Sequence, residues 1–111
     1  MVDDHPGFRE RARALLEAEG FRVIGEAADG MTGLLEADRL RPDIAIVDIG
    51  LPDLDGFAVA TCLRAAGTAG LIVLISGREP GDFGDRVERS AADGFIAKAD
   101  LSGDRLAALL A

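Results

Sequence analysis

Four short apolar runs punctuate the chain, at 21–26 (FRVIGE), 44–47 (IAIV), 71–75 (LIVLI) and 94–97 (GFIA). Between them, apolar residues recur at steps of three and four. Short runs bounded by turn residues suit strands, and the longer spacing is helical, so the alternation predicts a parallel sheet covered by helices. The first helical segment opens at Pro6 and closes at Gly20, with Phe8, Ala12, Leu15 and Leu16 on one stripe and Arg9, Glu10, Arg13 and Glu17 outside it. The second, from about 30 to 39, turns Met31, Leu34, Leu35 and Ala37 inward, and Pro42 stops any continuation. The third, about 55–66, uses Phe57, Ala60 and Leu63 and ends at Gly67, while Asp55 is placed to cap it. The fourth, about 81–92, is the weakest. Gly81 and Gly84 each lower helix propensity by ~1 kcal/mol relative to alanine, and only Phe83, Val87 and Ala91 offer an inward face, so a short or mobile helix is expected. The last runs from 101 to 110.

Length and charge narrow the possibilities. A chain of 111 residues fits one domain spanning 1–111, with one core and no room for a second. With 12 basic against 20 acidic residues the net charge is -8, which argues against direct contact with nucleic acid or an anionic membrane. The single cysteine, Cys62, excludes an internal disulfide and a thiolate zinc site; its apolar helical surroundings predict a buried thiol. The longest apolar run, LIVLI, is far below the ~20 residues that span a bilayer, and no cleavable signal opens the chain, so a cytoplasmic protein is expected.

Each expected strand delivers a polar residue at its carboxyl end, the edge where open parallel sheets place their sites. Asp3 and Asp4 follow Met1-Val2, Asp48 follows IAIV, Ser76 follows LIVLI and Lys98 follows FIA. Right-handed crossovers bring those ends together. Taken alone, Asp48 reads equally well as a residue capping the next turn; in register with the others it reads as a site. Three gathered carboxylates resist ionising together unless a cation sits among them, and Mg2+, which takes oxygen ligands, is the simplest such ion. Asp48 would then be a nucleophile towards phosphorus, with Lys98 neutralising the transferring group and Ser76 donating a hydrogen bond to it. His5, a lone histidine before Pro6, reads as a helix-entry residue, and Asp53 as a loop residue.

The motifs VDDH, DIGLPDLDG, LISG and GFIAK, in this order and spacing, resemble those of the receiver domains of bacterial two-component response regulators. The stretch DDHPGFRERARALLEAEGFRVIGEAADG is especially similar to receivers of LuxR-type transcription regulators. The resemblance implies a doubly wound α/β fold with a five-stranded parallel sheet in the flavodoxin-like order 2-1-3-4-5. It implies Asp48 as phosphoacceptor, Asp3 and Asp4 as a Mg2+-binding pair, the Gly50 backbone carbonyl as a further metal ligand, and Lys98 as phosphate counter-ion. It also implies Ser76 and Phe95 as a switch pair, with phosphate supplied by a sensor histidine kinase or phosphotransfer protein and the output read by a homodimer or effector. Such a domain catalyses only its own phosphorylation and slow dephosphorylation.

Two departures stand out. The strand that precedes the acidic pair in this family, central in the sheet, is represented by Met1 and Val2 alone; a start lying upstream, or marginal stability, is expected. No output domain follows, so DNA binding is not carried over. Two rivals remain on the sequence: a small Mg2+-dependent phosphohydrolase, which would need a general acid and a substrate-shaping cap, and a binding module that keeps the fold without switching.

Overall fold

The computed structural model describes residues 1–111. Three parallel strands form its ladder, β1 (Ile44–Asp48), β2 (Leu71–Ser76) and β3 (Gly94–Ala97), in the spatial order β1-β2-β3. The register sets Asp48 opposite Ile75 and Ser76 opposite Ala97, which aligns the carboxyl ends along one edge. On the far side of β1, Val2 bridges Val47, and its other side bridges Ala27, both parallel. The lateral order is therefore Ala27, Val2, β1, β2, β3. That is the five-position, doubly wound arrangement expected, with its first two members reduced to single bridges.

The run FRVIGE forms no strand, contrary to expectation. A ladder needs a neighbour along its length, and Met1-Val2 offers one only at its end. The Ala27 N–H donates to the Met1 carbonyl (2.9 Å) and the Asp3 N–H to the Ala27 carbonyl (3.0 Å). The Val2 N–H donates to the Ile46 carbonyl and the Asp48 N–H to the Val2 carbonyl, both at 2.8 Å. Before these bonds the segment pairs with no strand, and between it and β1 opens a cleft of about 640 Å³ lined mainly by apolar side chains, among them Val23, Leu40, Ile44, Ile46 and Leu106. The terminal ammonium of Met1 donates to the Gly25 carbonyl (3.0 Å) at the head of this cleft, where burial pushes its pKa down.

Alternation along β2 assigns the two faces of the sheet. Ile72 and Leu74 join Val47, Phe57, Val59, Ala60 and Leu63 under α2 (Gly30–Leu40) and α3 (Gly56–Ala66). Val73 and Ile75 join Ala12, Leu16, Ile46, Ile96 and Leu106 under α1 (Pro6–Ala18) and α5 (Gly103–Leu110). All four β2 side chains are fully buried, each contributing about 1.5–3 kcal/mol of burial, and a run buried on both faces explains why LIVLI shows no polar alternation.

The helices depart from their expected faces in instructive ways. In α1, Ala12 and Leu16 are buried but Leu15 is exposed. In α2 the inward residues are Gly30, Gly33 and Ala37, whereas Met31 and Leu35 point to solvent, 55% and 67% exposed. Small residues win because α2 lies close to Val2: a β-carbon on Gly33 would come within 2.7 Å of that side chain. Cys62 is exposed rather than buried, since α3 turns Phe57, Val59, Ala60 and Leu63 inward. Asp55 caps α3 by accepting from the Ala58 N–H, and Gly67 ends it at φ 66. Asp53 accepts from the Gly30 and Met31 N–H groups and so caps α2 from across the molecule.

The segment from Gly77 to Ala92 is the loosest part of the chain. It contains a 3-10 turn (Pro80–Phe83) and a one-turn α4 (Arg86–Arg89), neither of which buries a residue, in line with the weak helix expected there. Its far end is clamped. Asp93 accepts from the Ile72 N–H (2.7 Å) and pairs with Arg64 of α3, which also donates to the Ala91 carbonyl.

Two stability predictions follow from this packing. Adding about five apolar residues before Met1, a typical strand length, should raise the urea midpoint clearly, and an unchanged midpoint would show that the cleft takes no strand. Gly56→Ala drives a β-carbon to 2.5 Å from the Asp48 carbonyl oxygen and 2.6 Å from the Ile49 Cα, so it should destabilise by about 1–3 kcal/mol in the same assay.

Candidate functional site

Four distant segments meet at the carboxyl edge. Asp48 ends β1 and is almost wholly buried; Asp3, positioned by the bridges of Val2, is completely so. Lys98 follows β3 and extends its ammonium to 2.7 Å from Asp3 Oδ2 and 3.3 Å from Asp48 Oδ2, with the Phe8 ring 4.6 Å from the same nitrogen. The Gly50 N–H donates to Asp48 Oδ1 at 3.3 Å. Burial pushes the Asp48 carboxyl up; Lys98 pulls it down and Asp3 pushes it up again, and the balance lies above the usual carboxylate range. Burial draws the Lys98 ammonium down, but the flanking Asp3 and Asp48 outweigh this and hold it above the ordinary lysine value.

One lysine does not satisfy the carboxylates around it. Asp3 Oδ2 and Asp4 Oδ1 are buried atoms without a hydrogen-bond donor; the close Lys98–Asp3 contact is an ion pair outside hydrogen-bond geometry. Ligand atoms of Asp3, Asp4, His5 and Asp48 all lie within 4.8 Å of one another. Converging acidic oxygens with unmet bonding capacity fit a hard divalent cation, and the residues present are the right kind to hold one.

His5 holds the helix-entry place expected of it, as the exposed N-cap of α1, and its imidazole also lies beside this group. Its backbone N–H donates to Asp3 Oδ1 (2.7 Å), and its Nδ1 sits 3.2 Å from Asp3 Oδ1 and 3.1 Å from Asp4 Oδ1. The available signal was its place directly after the acidic pair, where Pro6 fixes the entry to α1. Arg9, one turn further on, donates to the Asp3 carbonyl and pairs with Glu26, bracing the backbone beneath the site.

Ser76 and Phe95 stand beside this cluster rather than in it. Ser76 ends β2, is buried, and its Oγ accepts from the Arg78 N–H (3.1 Å) rather than bonding to Asp48 or Lys98. Phe95, opposite Leu74 on β3, is partly buried with its ring centroid 6.2 Å from Phe83, which in turn meets Phe57 edge-on at 5.8 Å. Gly50 is exposed on the loop after β1.

A parallel sheet with an acidic cluster and a lysine at its carboxyl edge defines a class, and comparison with known proteins agrees. Residues 1–110 match the response regulator receiver domain family, and the chain belongs to it: it is a receiver domain of two-component signalling. Among curated relatives, BvgA of Bordetella pertussis, described as a transcription regulator of virulence factors, is 40% identical over 88% of this chain and 47% of its own length. The transcriptional activator EvgA of Escherichia coli K12 is 28% identical over 98% of this chain and 53% of its own. The chain thus spans about half the length of these relatives. Among solved structures, the signal receiver domain of NarL from Mycobacterium tuberculosis superposes with a TM-score of 0.82 at 31% identity, covering 98% of this chain and 92% of that one. A LuxR-family regulator from Aurantimonas sp. SI85-9A1 gives 0.83 at 29% identity, covering 98% and 81%. No helix is long and apolar enough to cross a membrane.

The electrostatics of Asp48 give a test that needs no ligand. A carboxyl whose folded pKa lies above its unfolded value stabilises the fold when protonated, and that contribution is lost as pH rises through the folded value. Ionised Asp48 is therefore a net burden at neutral pH. In chelator, Asp48→Asn should unfold at higher urea than the wild type at neutral pH, with the gap narrowing as pH falls towards the ordinary carboxylate range. A variant less stable at neutral pH would refute this balance.

Proposed function

We propose that the chain is a phosphoacceptor switch: Asp48 takes a phosphoryl group from the phosphohistidine of a sensor histidine kinase or phosphotransfer protein, with Mg2+ as cofactor. The observation that carries this reading is the convergence of three carboxylates, Asp3, Asp4 and Asp48, on the one ammonium of Lys98, with Asp3 Oδ2 and Asp4 Oδ1 buried and without a hydrogen bond. An Asp48 carboxylate oxygen forms a bond to phosphorus as the phosphorus–nitrogen bond breaks, and the electron pair leaves with the imidazole. Asp3, Asp4, Asp48 and the Gly50 carbonyl would hold the Mg2+, which when bound offsets negative charge on the phosphoryl oxygens. Lys98, already charged and centred between Asp3 and Asp48, moves its pairing to a phosphoryl oxygen. Ser76 turns its hydroxyl from Arg78 to the phosphoryl group.

The turn of Ser76 leaves room that Phe95 takes by changing rotamer, and its stacking on Phe83 carries the change to the surface of α4, β3 and α5. A second copy or an effector reads that surface in the cytoplasm. Any contact with DNA belongs to another part of a longer protein or to a partner, in keeping with the net charge of -8. The domain has no substrate beyond its own Asp48.

Incubation with acetyl phosphate and Mg2+, followed by intact mass, tests the proposal. Wild type should gain about 80 Da, one phosphoryl group, and revert slowly; Asp48→Asn should gain nothing, chelator should abolish labelling, and Lys98→Ala should slow it by roughly tenfold or more. Turnover of a phosphate ester would point instead to a hydrolase. Absence of both adduct and turnover would leave a module that does not switch.

A further inference from the structure

We propose that His5 is a direct ligand of the cation held by Asp3, Asp4 and Asp48, so that the site discriminates in favour of a first-row transition ion such as Mn2+ over Mg2+. The inference rests on the acidic cluster being a cation site, and it adds a nitrogen donor to an otherwise all-oxygen set.

Spacing is the first argument. Adjacent ligands of an octahedral ion with bonds of about 2.1 Å stand roughly 3.0 Å apart. His5 Nδ1 lies 3.2 Å from Asp3 Oδ1 and 3.1 Å from Asp4 Oδ1, separations that an ion can span with little rearrangement. Unmet bonding capacity is the second. The Lys98 ammonium pairs with Oδ2 of the fully buried Asp3, but the buried Asp4 Oδ1 touched by the imidazole has no hydrogen bond. Chemistry is the third. Mg2+ takes oxygen ligands and retains water; Mn2+ also suits carboxylates but accepts an imidazole nitrogen more readily, so one histidine among carboxylates shifts selectivity without abolishing Mg2+ binding. The ring is 67% exposed, which leaves a path for an ion and its waters from solvent.

The same contacts exist if a protonated imidazole merely pairs with two carboxylates, so the decisive readout is metal–nitrogen coupling. His5 is the only histidine in the chain, and in untagged protein any strong 14N imidazole coupling in pulsed EPR of bound Mn2+ must come from it. The wild type should show that coupling and His5→Ala should lose it. By calorimetry the variant should bind Mn2+ about tenfold or more weakly, with Mg2+ affinity changed by less than about threefold. His5→Gln, which keeps a polar side chain of similar reach, should lose the coupling and retain Mg2+. Mn2+ bound without 14N coupling in the wild type would overturn the assignment, whatever becomes of the variants, while phosphorylation of Asp48 with Mg2+ would still stand. Failure of wild type to bind either ion would overturn the cation site and His5 together.

Discussion

Four backbone hydrogen bonds around Val2 hold the two halves of the carboxylate edge in register. Two tie Val2 to β1 through Ile46 and Asp48, and two tie Met1 and Asp3 to Ala27. Everything at the site depends on this junction, because Asp3 and Asp4 leave it directly and can face Asp48 only while it holds. In a full ladder such bonds share the load with neighbours on each side. Here they carry it alone beside an apolar cleft, and the packing of Gly33 against the Val2 side chain is what closes the junction from α2.

The electrostatic arrangement follows from that geometry. Asp3 is delivered to a place without solvent, next to another buried carboxylate, and Lys98 bridges the two. A single ammonium cannot offset three acidic groups at once, so the ionised cluster is maintained against its own repulsion by the stability of the fold. This is the condition in which an added cation or a redistributed phosphoryl charge changes the free energy of the whole edge.

Much of this was legible in the chain itself. The runs at 44–47, 71–75 and 94–97 became strands because their apolar residues are buried by the sheet's own crossovers, and the polar residue after each run marked the edge where it emerges. What pattern alone misread were the places where tertiary contact overrides it. FRVIGE has strand chemistry but no partner strand; Met31 and Leu35 have core chemistry but lie on the side of α2 away from Val2; Cys62 sits on the outer face of α3. At the site, Asp3, Asp4, Asp48 and Lys98 could be grouped from the sequence because each directly follows a short apolar run. His5 is the helix-entry residue the sequence suggests, but its nearness to Asp3 and Asp4 depends on the short turn between Asp3 and Pro6, whose direction no periodicity encodes.

The segment between Ser76 and Asp93 crosses the surface from the end of β2 to the start of β3. It is moored at both ends, by the last residue of β2 and by the Asp93–Arg64 clamp, and between them Phe83, Val87 and Ala92 pack, partly buried, against the core. Outside these contacts the span lies on the surface, so a change at either mooring has few packed side chains to carry with it. The chain thus joins a central strand buried on both faces to a surface span anchored chiefly through Phe83 and Val87.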